Sequence, residues 1–270
     1  MRSTIEYTHL SGEGEPIVLV HGIGHRRQAW GEVPARLNAR GYDVYVVDLP
    51  GHGTSPTPTR PDGYSMDSHA EQFERLFEQL GIRRPHAVGN SLGGAMVLEL
   101  AHRGAVRTAT ALSPAGFFPV HHLPNVAANL LFMKAGSHLP EALHRKLLGF
   151  AWFRKLAFRS LYTHPEKVSA QDALADTLNL RRSRGFWPHF FRATFLRVTK
   201  EVVVPTTIAW GDGDRLLLPS EAHIARARLP EATHVTLPDC GHCPQIDDPD
   251  LVVDVVLETV ERASSARPAA

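Results

Sequence analysis

The 270-residue sequence predicts an α/β domain built on a mostly parallel sheet, with one helical segment inserted into it. Three observations lead there. Short Val- and Ile-rich runs bounded by Gly, Pro or Asp recur in the first and last parts of the chain. Amphipathic helical stretches alternate with them. Between residues 117 and 199 that alternation stops.

The apolar run Pro16 to Val20 (PIVLV) reads as a buried strand, as do Asp43 to Val47, His86 to Val88 and Thr108 to Leu112. Ser68 to Leu80 reads as a helix, because Phe73, Leu76, Phe77 and Leu80 fall on one face. Leu92 to His102 is a second helix, ended by Gly104. Strand resumes at Val202 to Trp210 and at His234 to Leu237, and Asp250 to Ala263 closes as a helix. Strands that are apolar almost throughout belong to a sheet covered on both faces. No internal repeat interrupts this order, and the tail ASSARPAA reads as a frayed end.

The interrupted segment differs in composition as well as pattern. Pro119, Pro124, Pro140, Pro165 and Pro188 break it into several helices. It carries 12 Lys and Arg against 4 Asp and Glu, a net +8, whereas the remainder of the chain sums to −7. Ten of the 12 Phe also lie there, with Trp152 and Trp187. We therefore expect a core domain of residues 1–116 and 200–270 and a helical cap of residues 117–199.

Bulk properties narrow the function classes. Hydrophobic residues make up 43% of the chain, enough for a sizeable core. A formal net charge of +1 gives no overall field for nucleic acid or a membrane surface. The sequence MRSTIEYTHL lacks an apolar signal-peptide region, and no run of 18 apolar residues exists to cross a bilayer. The expectation is a cytoplasmic enzyme acting on a small hydrophobic molecule, without nucleic acid or a membrane span. The two cysteines, Cys240 and Cys243, have thiol–disulfide spacing but the wrong setting. Asp239 precedes them, Pro244 follows, and the pair lies close to the C-terminus. No second Cys/His pair completes a zinc site either.

Chemistry concentrates at the ends of the predicted strands. Gly89-Asn90-Ser91-Leu92-Gly93 lies between a strand and a helix, where a tight turn needs small flanking residues and projects the central hydroxyl outward. His21-Gly22-Ile23-Gly24 and Asp48-Leu49-Pro50-Gly51-His52-Gly53-Thr54-Ser55 each follow a strand. Trp210-Gly211-Asp212-Gly213-Asp214 ends a later strand, and Gly241-His242 follows the last one. A serine hydroxyl is a poor nucleophile at neutral pH and needs a neighbouring base. His titrates in the right range, and a carboxylate on its far nitrogen fixes its tautomer.

Taken together, the four segments resemble the α/β-hydrolase superfamily, in its lidded esterase and carbon–carbon hydrolase branch. The resemblance implies an eight-stranded, mostly parallel sheet, with His-Gly-x-Gly after the third strand and the cap inserted after the sixth. It implies Ser91 as nucleophile, Asp214 as the acid closing Gly-x-x-Asp, and His242 as the base. The backbone amides of Ile23 and Leu92 would form the oxyanion hole. No metal or organic cofactor is called for.

Within that superfamily, Ser91 argues against the dehalogenases and epoxide hydrolases, whose nucleophile is Asp. The carbon–carbon hydrolases tend to carry Trp after the catalytic His, where this chain has Cys243. Proline iminopeptidases place Trp where Leu92 stands. Perhydrolases and acyltransferases share the triad, and a ligand receptor on the same fold is a reading of another class. Ester hydrolysis is the leading expectation. The cap aromatics are expected to pack it onto the core, with some of Phe186, Trp187, Phe190, Phe191 and Phe195 walling the acyl site. The +3/+4 spacing puts Trp187, Phe191 and Phe195 on one helical face, which favours a medium-chain or aromatic acyl group. The cap's positive charge complements the acidic core, or binds a substrate anion through Arg192 or the Arg181-Arg182-Arg184 cluster.

Overall fold

A computed structural model of the chain describes residues 5–59 and 61–265. Seven strands form one sheet: β1 (Tyr7–Leu10), β2 (Pro16–Val20), β3 (Asp43–Val47), β4 (His86–Asn90), β5 (Thr108–Leu112), β6 (Thr206–Gly211) and β7 (Thr233–Leu237). Their order is β1-β3-β2-β4-β5-β6-β7, with β1 antiparallel to β3 and every other pair parallel. The count corrects the expected eight to seven among the described residues. The His21 loop therefore follows the second strand here, and the helical insertion follows the fifth. The sheet begins with one antiparallel strand, Tyr7–Leu10, beside β3.

The period-2 alternation of each strand sends its side chains into two separate cores. Ile17 and Leu19 of β2 join Val44, Val46 and Val88 against α1 (Val33–Ala39). Val18 and Val20 join Tyr45, Val47 and Ala87 against α2 (Met66–Leu80) and α3 (Leu92–His102). Both layers are dry, which is why the strand sequences read as continuous apolar runs. Val202 to Val204 stay outside β6. Pro205 has no amide to give the ladder, and the Val202 amide donates instead to Glu231 at 3.1 Å.

Between β5 and β6 the chain builds α4 (Leu123–Gly136), α5 (Glu141–Leu148), α6 (Ala151–Ala157), α7 (Ala170–Arg182) and α8 (Phe186–Ala193). Ser169 caps α7 by accepting from the Asp172 amide, one of the donors a helix start leaves unpaired. These helices share a third core, in which Leu130, Leu161, Tyr162 and Phe186 meet Leu216 and Cys243 of the sheet domain. After β6 come α9 (Ser220–Arg228), α10 (Pro244–Asp247) and α11 (Pro249–Ser265), the last packed on the β2 and α1 side. Of the tail expected to fray, Ala263 to Ser265 end α11 and the rest lies outside the described residues. Among the described residues no helix is long and apolar enough to cross a membrane.

One ion pair between the insertion and the sheet domain runs against the bulk charge imbalance. There Arg26 of the sheet domain meets Asp176 of α7 at 2.7 Å, the opposite polarity to the bulk imbalance. Asn179 of α7 also donates to the carbonyls of Gly24 and His25, at 2.9 and 3.0 Å. These contacts lie beside the loop His21 to Gly24.

The chain runs outward from β2 to β3 and returns to β4, so the strand order reverses between β2 and β4. In open parallel sheets ligands bind beyond the carboxyl ends of the strands at such a point. Val20 pairs with Gly89, and Gly89 with Ala111, so the loops after these strands emerge side by side.

Candidate active site

Strand β4 stops at Asn90 and α3 begins at Leu92, so Ser91 alone turns the chain. It does so at φ 58°, ψ −115°, a conformation that side-chain-bearing residues avoid and surrounding structure must enforce. Its amide donates to the Leu112 carbonyl at 2.9 Å, and its own carbonyl accepts from Ala95 and Ala115. The flanking glycines are steric requirements. A Cβ on Gly89 would lie 2.1 Å from the Gly93 carbonyl oxygen, and one on Gly93 would lie 2.1 Å from that of Val20.

Asp214 and His242 arrive from the ends of β6 and β7. The His242 Nδ1–H donates to Asp214 Oδ2 at 2.8 Å. Asp214 Oδ1 accepts from the amides of Leu216 and Leu217, both at 2.9 Å. Its buried carboxylate is thus held by three donors, and His242 carries its proton on Nδ1. His242 lines the same cavity as Ser91.

The loop after β2 lies against the serine. A Cβ on Gly22 would approach Ser91 Cβ to 3.0 Å. Buried His21 fixes this loop by donating from Nδ1 to the Gly22 carbonyl at 2.7 Å and accepting the Leu49 amide on Nε2 at 3.0 Å. Burial pushes its pKa down to about 3, in keeping with a neutral ring that must accept at Nε2. Ile23 follows directly, while Leu92 is the first residue of α3, whose amide has no partner within the helix. Ile23, Ser91 and Leu92 share one cavity wall.

Sequence reasoning missed Asn90. It is wholly buried, and its Nδ2 donates to the His242 carbonyl at 2.8 Å and to that of Leu112 at 3.2 Å. Its Oδ1 faces Cys243 Sγ at 3.5 Å and Gln245 Nε2 at 3.4 Å. One side chain therefore joins the serine turn to the histidine loop. A polar residue in an otherwise apolar strand end was the available signal.

A cavity of about 350 Å³ opens beneath α4 to α7, with Ser91 and His242 at its base. Its walls are apolar, including Leu130, Met133, Phe153, Leu180 and Phe186, and its volume is typical of a small-molecule site. The expected aromatic wall needs correction. Trp187 and Phe191 lie on an outward-facing side of α8, and Phe195 falls beyond the end of that helix at Ala193 and is 82% exposed. Phe186, on the inward-facing side of α8, is buried in the cavity wall. Arg181, Arg182, Arg184 and Arg192 do not line the cavity, and no Lys or Arg does among the described residues.

Cys240 and Cys243 are both free and fully buried. Burial pushes the Cys240 thiol up to about 12 and Cys243 well above the usual thiol value, the opposite of a reactive thiolate. Among the described residues no group of three or more His, Cys, Asp or Glu side chains is placed to hold a metal ion.

The alpha/beta hydrolase fold family matches residues 15–249, and the chain belongs to that family. An uncharacterised protein of Mycobacterium tuberculosis is 30% identical, the match covering 94% of this chain and 78% of that protein. Lipase 3 of Moraxella sp. is 23% identical (87% of this chain, 73% of the lipase). The 2-hydroxy-6-oxo-6-(2'-aminophenyl)hexa-2,4-dienoic acid hydrolase of Metapseudomonas resinovorans is 26% identical (96% and 89%). The solved structure of a thermophilic esterase from Thermogutta terrifontis matches at a TM-score of 0.70, with 19% identity over 96% of this chain and 93% of that one. The chain is thus a hydrolase-family enzyme.

Proposed function

We propose that this enzyme is a serine hydrolase of carboxylic esters that carry a bulky apolar group, working through an acyl-enzyme on Ser91. The observation that carries this reading is the Asp214–His242 hydrogen bond at the floor of an apolar cavity that also presents Ser91 on its strained turn. His242 Nε2 takes the Ser91 proton as Oγ attacks the ester carbonyl. The amides of Ile23 and Leu92 receive the oxyanion, aided by the N-terminus of α3. His242 returns the proton to the alcohol oxygen as the ester bond breaks, and water then releases the acid by the same route. The helices α4 to α8 act as a cap that excludes water from this sequence.

A second reading, carbon–carbon hydrolysis of a dienoic acid, is favoured by the Metapseudomonas relative. Against it stands the cavity wall, which among the described residues has Asp176 but no Lys or Arg to offset a buried carboxylate. Turnover of p-nitrophenyl acetate by the wild type, absent in Ser91→Ala, supports the ester reading. Turnover of a dienone acid without ester turnover would replace it with the second reading, and binding without turnover of either would leave a receptor.

A further inference from the structure

Ser91 stands between two apolar cavities of very unequal size. The larger, about 350 Å³, has His242 and Cys243 in its wall. The smaller, about 40 Å³, has Leu92 there instead and is closed by Phe118, Val126, Phe190 and Leu217. Ile23, Leu130 and Leu216 line both, so a ridge of side chains separates them beside the serine.

We infer that the large cavity receives the alcohol half of the ester and the small one the acyl half, so that the substrate joins a short acid to a bulky apolar alcohol. This inference rests on the ester-hydrolase reading above. The chemistry of proton return decides the allocation. After attack, one carbon bears Ser91 Oγ, the oxyanion, the acyl chain and the alkoxy oxygen. The proton held on His242 Nε2 must reach the alkoxy oxygen as the C–O bond breaks, so that oxygen lies on the His242 side and carries its chain into the large cavity. The acyl chain receives no proton and takes the remaining direction, past Leu92.

Size then sets the acid. At about 40 Å³ against about 350 Å³, the smaller cavity suits a short acyl group such as acetyl or propionyl and not a long chain. The larger one accepts a chain or ring system of ordinary ligand size. The arrangement reverses the sequence expectation of a medium-chain or aromatic acyl group. Of the five aromatic residues expected to wall the acyl site, half-buried Phe190 lines the acyl side, together with Phe118 and with Leu92 of the sheet domain.

Octyl acetate and ethyl octanoate are isomers with the bulk exchanged across the ester, so general hydrophobicity cannot distinguish them. Acid release from each, followed by pH-stat, should give a kcat/KM at least fivefold higher for octyl acetate. A smaller ratio, or a preference for ethyl octanoate, overturns the allocation while leaving the ester-hydrolase reading intact. No release from either isomer or from p-nitrophenyl acetate overturns that reading, and this inference with it. Phe190→Ala, and independently Val126→Ala, should open the small cavity and raise the ethyl octanoate to octyl acetate ratio at least fivefold. Loss of fold cannot mimic such a gain, and an unchanged ratio in folded variants counts against the allocation.

Discussion

Replacing Asp214 by Asn tests the geometry around the base more severely than removing a side chain would. The structure dictates how the new amide must sit. Oδ1 accepts from two buried amides, Leu216 and Leu217, so the amide oxygen has to occupy that position. The opposite orientation would leave two buried N–H groups facing an NH2, at about 1–3 kcal/mol each. The NH2 therefore faces His242 Nδ1, which must then accept rather than donate. Its proton moves to Nε2, where the lone pair needed by Ser91 is lost. Triad aspartates changed in this way lose on the order of 10⁴ in turnover, about 5.5 kcal/mol of barrier. The neighbouring Asp212 is exposed on the same loop and touches neither group, so Asp212→Asn should stay within about twofold. Initial rates on p-nitrophenyl acetate measure both, with thermal melts to establish that each variant folds. An Asp214→Asn enzyme within tenfold of wild type, or a larger loss in Asp212→Asn, would refute the reasoning.

The serine turn should tolerate no added methyl. Gly89→Ala or Gly93→Ala puts a Cβ 2.1 Å from a backbone oxygen and should lower the melting temperature by about 10 °C or prevent soluble expression; a wild-type melt would contradict it. Acid should loosen the fold through buried neutral histidines. His21 and His52 are each pushed down by burial to about 3, below the ordinary 6.5 of the unfolded chain. The unfolded state therefore binds more protons, and stability present above pH 6.5 is lost as the pH falls toward the folded values. At pH 5 the two histidines should each cost about 2 kcal/mol, visible as a lower urea midpoint than at pH 7; equal midpoints would contradict this. The native thiols should resist a disulfide reagent such as DTNB, and a reductant should leave activity unchanged. Cys240→Ser/Cys243→Ser should retain activity within about tenfold, since a serine hydroxyl can still donate to Asn90. Rapid native labelling would contradict that reading.

How much of this was legible in the sequence depended on whether one residue's neighbours or a whole face carried the signal. Strands β2, β3 and β5 and helix α3 begin and end where the apolar runs do, because both faces of the sheet are dry and the runs are uninterrupted. The approach of Asp214 to His242 was legible too, since strand ends in a parallel sheet put their loops together. β6 began later than its apolar run because Pro205 interrupts the ladder, a local rule overridden by the Val-rich pattern. The wall of the cavity was not legible. The spacing of Trp187, Phe191 and Phe195 assumes a helix that runs on past Ala193, where α8 ends; periodicity also gives no sense of direction, and burial went to Phe186 instead. Asn90 escaped because its partners, the His242 carbonyl and Gln245, lie more than 150 residues away along the chain.

The central claim is that Ser91 forms a covalent acyl-enzyme, and active-site titration tests it most directly. Incubation with a fluorophosphonate, followed by intact-mass measurement and peptide mapping, should find one adduct per chain, on Ser91, in parallel with loss of p-nitrophenyl acetate turnover. Ser91→Ala should take up none and turn over no ester. An adduct at another residue that tracks the loss of activity, or ester turnover retained by Ser91→Ala, would contradict the account.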